Sequence, residues 1–285
     1  MNAQFLAGAA DILDTWWGML LFILFDAVVL VFILALNYKW LCKRLLDILF
    51  AALFLLAFFP FFLLFLAADA VYVRASNAYP SVFVSAVYCG KKRRPVKLTV
   101  FATERTLRDE AGALLPEKER VTPFGRVLKA CGMKYYPCLW QVLAGRLSFV
   151  GPRPFTFADA AAVGESGEAR FSVRPGLVTS LERYGGEKLT YPDMLEEDAE
   201  YAARHGLFRD ISFFVAKIAH RLRGDGPHRV FGECAGRTYL QWLQDTGAIT
   251  ASEAALYEAD GEAALRRSGK NEREDFARGG TKPLQ

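Results

Sequence analysis

Two arginines stand in glycine-proline settings, Arg153 in Gly151-Pro-Arg-Pro154 and Arg174 in Val173-Arg-Pro-Gly176. A guanidinium fork matches the oxygens of phosphate or pyrophosphate, so either residue can grip such a group. The structural alternative is that each serves as half of an ion pair. The tract Lys91-Lys-Arg-Arg94 offers further positive charge, suited to a phosphate or lipid headgroup, or simply to a solvated turn. Cysteine chemistry has less support. Cys42, Cys89, Cys131, Cys138 and Cys234 are an odd number with no CxxC spacing, so neither a zinc site nor a disulfide framework is signalled. Cys131 and Cys138 read as small buried hydrophobes.

These groups must be held by a chain of 285 residues, 53% hydrophobic and 23% charged, a composition that excludes disorder and collagen. Hydropathy is unevenly spread. Residues 15–36 are apolar except for Asp26, long enough to span a bilayer core. With no Lys or Arg before Lys39, a secretory signal peptide is disfavoured. Lys39, Lys43 and Arg44 follow the run while Asp11 and Asp14 precede it, which puts the N-terminus outside and the main body in the cytosol.

The second run, residues 48–68, carries Pro60 near its middle, where proline removes a backbone bond and kinks a helix. Arg74, the 91–94 tract and Lys97 come soon after, and a full crossing would carry them outside. A helix that enters, bends at Pro60 and returns to the same face satisfies both observations; two ordinary crossings are the alternative. From residue 39 onward lie all 35 basic and 28 of the 31 acidic residues, a net +7. That excess suits a body resting on anionic lipid better than a nucleic-acid binder.

In the body, residues 81–88 and 96–101 read as a β-hairpin, and residues 103–121 as irregular. Helices are expected from Pro123 to a stop at Gly132, and from Tyr135 with Pro137 near its start. Thr190 caps another that runs to His205 and stops at Gly206. Over residues 207–223, Phe208, Ile211, Val215, Ile218 and Leu222 recur at helical spacing with Lys217, His220, Arg221 and Arg223 elsewhere, a face suited to lipid or to a core. Residues 238–244 and 250–267 read as helical, and 268–285 as a loose tail. The expected fold is a membrane-associated α+β protein: an N-terminal transmembrane helix, a proline-kinked re-entrant membrane helix, and a small cytosolic body of short strands and amphipathic helices. The expected divisions are 1–38, 39–74, 75–228 and 229–285.

The stretch Leu143-Ala-Gly-Arg-Leu-Ser-Phe-Val-Gly-Pro-Arg-Pro154 resembles the signature of the bacterial sugar transferases, the monotopic phosphoglycosyl transferases that act on polyprenyl phosphate. Lys43-Arg44-Leu-Leu-Asp47, ahead of an apolar run with Pro60 inside it, looks like the family's approach to the membrane. Val173-Arg174-Pro-Gly176 resembles its RPG turn, and Asp198-Ala-Glu-Tyr201 and Leu207-Phe-Arg-Asp210 its late helical motifs. The resemblance implies a cytosolic body seated in the bacterial inner membrane on a re-entrant helix. It also implies transfer of a sugar phosphate from a nucleotide diphosphate sugar to undecaprenyl phosphate, with magnesium. An adjacent Asp-Glu pair does the chemistry, the Asp attacking phosphorus to form a covalent phosphosugar adduct.

Here that pair falls on Lys134 and Tyr135. Upstream, the Arg usual before the glycine of the first hairpin aligns with Tyr88 and the Lys-Phe-Arg of the next strand with Val100-Phe101-Ala102; downstream, the glutamine after the RPG turn aligns with Glu182. A hard magnesium ion wants oxygen ligands and is repelled by an ammonium, and a lysine beside phosphate keeps its proton. The leading expectation is therefore a non-catalytic member with no catalytic residue, metal or cofactor. It would hold membrane lipid, including polyprenyl phosphate, and form a homo- or hetero-oligomer with an active homologue. The alternatives are a magnesium-dependent transferase using a shifted carboxylate such as Asp109, Glu110, Glu117 or Glu182, and a module in which Arg153 and Arg174 hold a ligand without turnover.

Overall fold

The computed structural model describes residues 15–36, 42–76, 81–105, 107 and 117–267, with the side chains of residues 34–36, 75, 76, 117, 118 and 166 left aside. Asp11, Asp14, Lys39, Asp109, Glu110 and the tail from 268 lie outside the described residues.

The two apolar runs become the two longest described helices, α1 at Trp16–Leu36 and α2 at Lys43–Ser76. At 1.5 Å per residue α2 is about 51 Å long, and it is continuous with Pro60 inside it. The outward faces of both are bare hydrocarbon, including Phe22, Leu24, Leu49, Leu56 and Leu64. Apolar surface on that scale marks a face that meets a membrane or a partner. The inner face of α2 is packed from end to end. Ala51 sits with Val96, Leu98 and Leu147, Leu55 with Phe101, Leu128 and Met133, and Tyr72 and Val73 lie on Ala102.

The hairpin forms as expected: β1 (Phe83–Cys89) pairs antiparallel with β2 (Pro95–Phe101). A second pair was not foreseen, because each strand is only three residues long. In it β3 (Ser148–Val150) runs parallel to β4 (Gly176–Val178), with Ser148 opposite Gly176 and Val150 opposite Val178. This pairing sets the Gly-Pro-Arg-Pro box beside the Arg-Pro-Gly turn. The backbones approach so closely that a Cβ on Gly176 would lie 2.1 Å from the Gly151 nitrogen.

Around these strands pack α3 (Pro123–Cys131), α4 (Leu139–Leu143), α5 (Phe157–Ala162), α6 (Tyr191–Arg204), α7 (Leu207–Arg223), α8 (Pro227–Phe231), α9 (Tyr239–Asp245) and α10 (Ala251–Arg267). Thr122 caps α3 by accepting from the Gly125 amide at 2.9 Å, and Gly132 ends it at φ 79°. Thr190 and Asp193 form the capping box of α6. The helix expected from Tyr135 instead begins as a 3-10 segment, Met133–Cys138, with Pro137 inside, and turns α-helical at Leu139. Proline carries no amide hydrogen for an α-helical bond. Helices α5 and α8 had no clear periodic signal.

One core joins Val87, Phe155, Tyr191 and Met194 to Cys234 and Leu265 from the C-terminal segment. The architecture is thus mixed α/β and mostly helical, with two apolar helices near the N-terminus. The cysteine expectation is corrected in part: Cys138 is buried, whereas Cys131, at the outer end of α3, is exposed. On α7, the residues that sequence periodicity grouped, Phe208, Ile211, Val215, Ile218 and Leu222, are all exposed, while Asp210 and Phe213 face inward.

Candidate functional site

The Lys43-Arg44-Asp47 group anchors α2 to the body at three points. Lys43 pairs with Asp210 on α7 and donates to the Val150 carbonyl at 3.1 Å. Arg44 donates to the carbonyls of Val142 and Leu143 at 2.6 and 2.8 Å, closing the end of α4, where helix carbonyls run short of intrahelical donors. Asp47 accepts from the Ser148 hydroxyl at 2.7 Å and the Phe149 amide at 3.1 Å. Apart from Asp210, these partners lie within residues 142–150, the stretch leading into Gly151-Pro-Arg-Pro154, so α2 and this box are held as one unit. Farther along, the Tyr136 hydroxyl donates to the Leu55 carbonyl at 2.6 Å.

Among the described residues Arg153 and Arg174 do not form the ion pairs that sequence offered as their structural role; each donates to a backbone carbonyl. Arg153 donates to Cys234 at 2.6 Å, and its own carbonyl accepts from Arg170 at 2.6 Å. Arg174 donates through Nε to Gly145 at 2.7 Å. Gly145 is also the residue over which Arg44 lies, a Cβ there falling 3.1 Å from Arg44 Nη2. Two guanidiniums therefore cover the carboxyl end of α4, where the helix dipole is negative. Arg153 sits in a different setting, beside the buried pair of Arg170 and Asp198 at 3.1 Å. Arg170 also stacks 3.2 Å from the centroid of Phe155. Burial pushes the Asp198 carboxyl up to about 6, against the pull of Arg170 and Arg153.

Lys134 and Tyr135 follow the left-handed glycine that ends α3. Lys134 is buried and Tyr135 exposed, with the ammonium 5.5 Å from the Tyr135 ring centroid. Among the described residues its nearest charged partner is Glu104, which sequence reasoning did not single out. Its carboxylate meets Lys129 at 2.7 Å, Arg120 at 3.1 Å and Lys134 at 3.8 Å. Burial alone would raise the pKa of Glu104, but the Lys129 hydrogen bond and the charges of Lys129, Lys134 and Arg120 outweigh it and hold the group below the ordinary value. Glu104 has no motif around it; only the fold brings residues 104, 120, 129 and 134 together.

The other carboxylates considered from sequence are placed elsewhere or not described. Glu182 is buried and bonded to Lys217 at 2.7 Å, and its backbone carbonyl meets His220 Nε2 at 2.8 Å. Asp109 and Glu110 lie outside the described residues, and Glu117 has its backbone alone described. Among the described residues no group of three His, Cys, Asp or Glu could hold a metal. Among the described residues, the carboxylate nearest Lys134 also meets Lys129 and Arg120.

A family model described as bacterial sugar transferase matches residues 38–224. The chain is 32% identical over 184 residues to an uncharacterized sugar transferase, EpsL, of Bacillus subtilis (strain 168), covering 65% of this chain and 89% of that protein. It is 30% identical over 197 residues to a UDP-glucose:undecaprenyl-phosphate glucose-1-phosphate transferase of Caulobacter vibrioides, covering 65% and 72%. With the exopolysaccharide production protein ExoY of Rhizobium meliloti it shares 28% identity over 186 residues, covering 59% and 80%.

Proposed function

Because the chain belongs to the bacterial sugar transferase family, we propose that it serves surface polysaccharide assembly as a non-catalytic member, the partner or regulator of an active transferase. What carries this reading is the pair Lys134 and Tyr135, which the sequence resemblance sets where the family has its Asp-Glu dyad. A lysine ammonium and a phenol supply neither the paired oxygen ligands a hard cation needs nor a carboxylate nucleophile. The donor set around Lys134 does not fit magnesium, and no step through a metal is assigned to this chain.

The proposed seat is the bacterial inner membrane, with the body in the cytosol. Attachment of α2 to the body at Lys43, at Leu55 and again at Tyr72 and Val73 supports a helix that re-enters at Pro60, since both of its ends meet the same body. The exposed stripe Phe208, Ile211, Val215, Ile218 and Leu222 on α7, with Arg221 and Arg223 at its basic end, supports a helix lying in the headgroup plane. The name of the Caulobacter relative supports a polyprenyl phosphate as the lipid met there. On this reading the retained motifs preserve the membrane seat and an oligomer interface.

The alternative, an active transferase with a displaced carboxylate, has its geometric candidate in Glu104, the acid 3.8 Å from Lys134. One assay separates the two. Purified chain with radiolabelled UDP-sugar, magnesium and undecaprenyl phosphate is expected to give no lipid-linked product alone, and to alter turnover when an active homologue is added. Product from the chain alone, abolished by Glu104→Gln, would establish the alternative.

A further inference from the structure

Asp26 is the midpoint of α1, equidistant along the chain from Trp16 and Leu36. At 1.5 Å per residue it lies about 15 Å from either end, the depth of the bilayer centre when the helix spans the hydrocarbon core. No other Asp, Glu, Lys, Arg or His occurs from Thr15 to Leu36. Asp26 is exposed, and among the described residues no hydrogen bond or ion pair reaches its carboxyl group. The other apolar helix offers no relief, since α2 has no charged or amide side chain from Ile48 to Ala68. A carboxyl group facing lipid tails is costly, and residues of this kind face a partner instead.

The spacing along α1 favours one partner. Met19, Phe22, Asp26, Val29 and Ile33 follow one another at intervals of three, four, three and four, and all five are exposed. They form one seam with the a/d pattern of a two-stranded coil. A second copy running parallel across a two-fold axis brings its own carboxyl to the same depth by symmetry, where one carboxyl O–H donates to the oxygen of the other. An unrelated helix would need a polar group placed at that depth by its own sequence. A single polar residue in an apolar seam fixes register and oligomer state, and side-chain hydrogen bonds hold helices together in lipid.

We propose that α1 is a dimerisation helix, in which Asp26 pairs with the same residue of a second copy of this chain and Met19, Phe22, Val29 and Ile33 pack on either side of it. This rests on the reading of α1 as a membrane-spanning helix, and it gives the oligomer interface its residues and its symmetry. The parallel arrangement sets both bodies on one face of the membrane.

The test uses the full chain in liposomes, with Förster transfer between donor-labelled and acceptor-labelled copies read as the protein is diluted in lipid. The parent is expected to associate, and Asp26→Leu, which makes the helix more apolar and leaves its insertion intact, to associate at least tenfold more weakly. Asp26→Asn, whose amide both donates and accepts, should stay within threefold of the parent. In a chain whose native cysteines are replaced, oxidation in membranes should link Phe22→Cys and Val29→Cys at least fivefold more than Leu24→Cys and Val28→Cys on the opposite face. A parent that stays monomeric, Asp26→Leu equal to the parent, or crosslinking equal on the two faces overturns the proposal. Labelling of Thr15→Cys from outside intact cells with an impermeant maleimide is a separate readout. A labelled chain that stays monomeric loses this inference alone, whereas an unlabelled one loses the membrane-spanning reading of α1 and this inference with it.

Discussion

Lys43 at the start of α2 is ion-paired to Asp210 on α7, and both are tied to the last residue of β3. Lys43 Nζ donates to the Val150 carbonyl at 3.1 Å. The Tyr201 hydroxyl lies 2.9 Å from that carbonyl and 3.0 Å from Asp210 Oδ1, its single hydrogen serving one at a time. Residues separated by 167 positions thus close a knot at the threshold of Gly151-Pro-Arg-Pro154. Removing one member of a mostly buried pair leaves the other uncompensated. Lys43→Met is expected to cost about 3 kcal/mol, and Lys43→Met with Asp210→Leu to recover most of it. Chemical unfolding of the single and double variants in nanodiscs checks this.

A pH effect is expected from Asp198. Its carboxyl is pushed up to about 6 by burial, Arg170 and Arg153 opposing, so the folded chain holds this proton at pH values where the unfolded chain has released it. Stability from this group is therefore greatest below about pH 4, the unfolded value, and declines until the folded group has also ionised, near pH 6. Denaturation curves from pH 4 to 7 should show the parent losing more stability across that window than Asp198→Asn. Parallel curves would contradict the burial argument.

Topology is read by single-cysteine labelling in a chain whose native cysteines are replaced. Arg74→Cys and Arg93→Cys are both expected to react with an impermeant maleimide only after the cytosolic face is opened. Labelling of Arg74→Cys from the outer face of intact cells would mean that α2 crosses.

Close approach of β3 and β4 makes Gly176 a position where even a methyl group is unwelcome. Gly176→Ala puts a Cβ 2.1 Å from the Gly151 nitrogen and 2.6 Å from the Val150 carbonyl carbon, and both obstacles are backbone. A loss of about 3 kcal/mol or more is expected, at the top of the overpacking range, visible as a lowered melting temperature. A neutral substitution would mean that the two strands can separate.

Much of the helical framework was legible because it is written locally. Twenty-odd apolar residues, the Thr190–Asp193 box, the stop at Gly132 and the 3.6-residue recurrence from Phe208 to Leu222 each need only neighbours along the chain. The same recurrence left the direction of the α7 stripe undecided, since a helix facing a core and one facing lipid have the same period; the exposed stripe is a property of what α7 packs against. The β3–β4 pair was invisible because three-residue strands carry no alternation. Glu104 was missed for a related reason: its partners come from residues 120, 129 and 134, and long-range charge pairing leaves no mark in spacing. The roles of Tyr201 and Asp198, by contrast, were hinted at by their motifs and explained only by their contacts with Val150 and Arg170.

Since Ala51, Leu55, Phe62 and Tyr72 of α2 supply part of the interior against which Phe101, Leu128, Ala102 and Phe124 close, biogenesis has an imposed sequence. The ribosome emits α2 before any of its partners, so the spine reaches the bilayer first and the hairpin and α3 condense upon it afterwards. Maturation then depends on insertion, and a chain whose spine is misdelivered has no interior to complete.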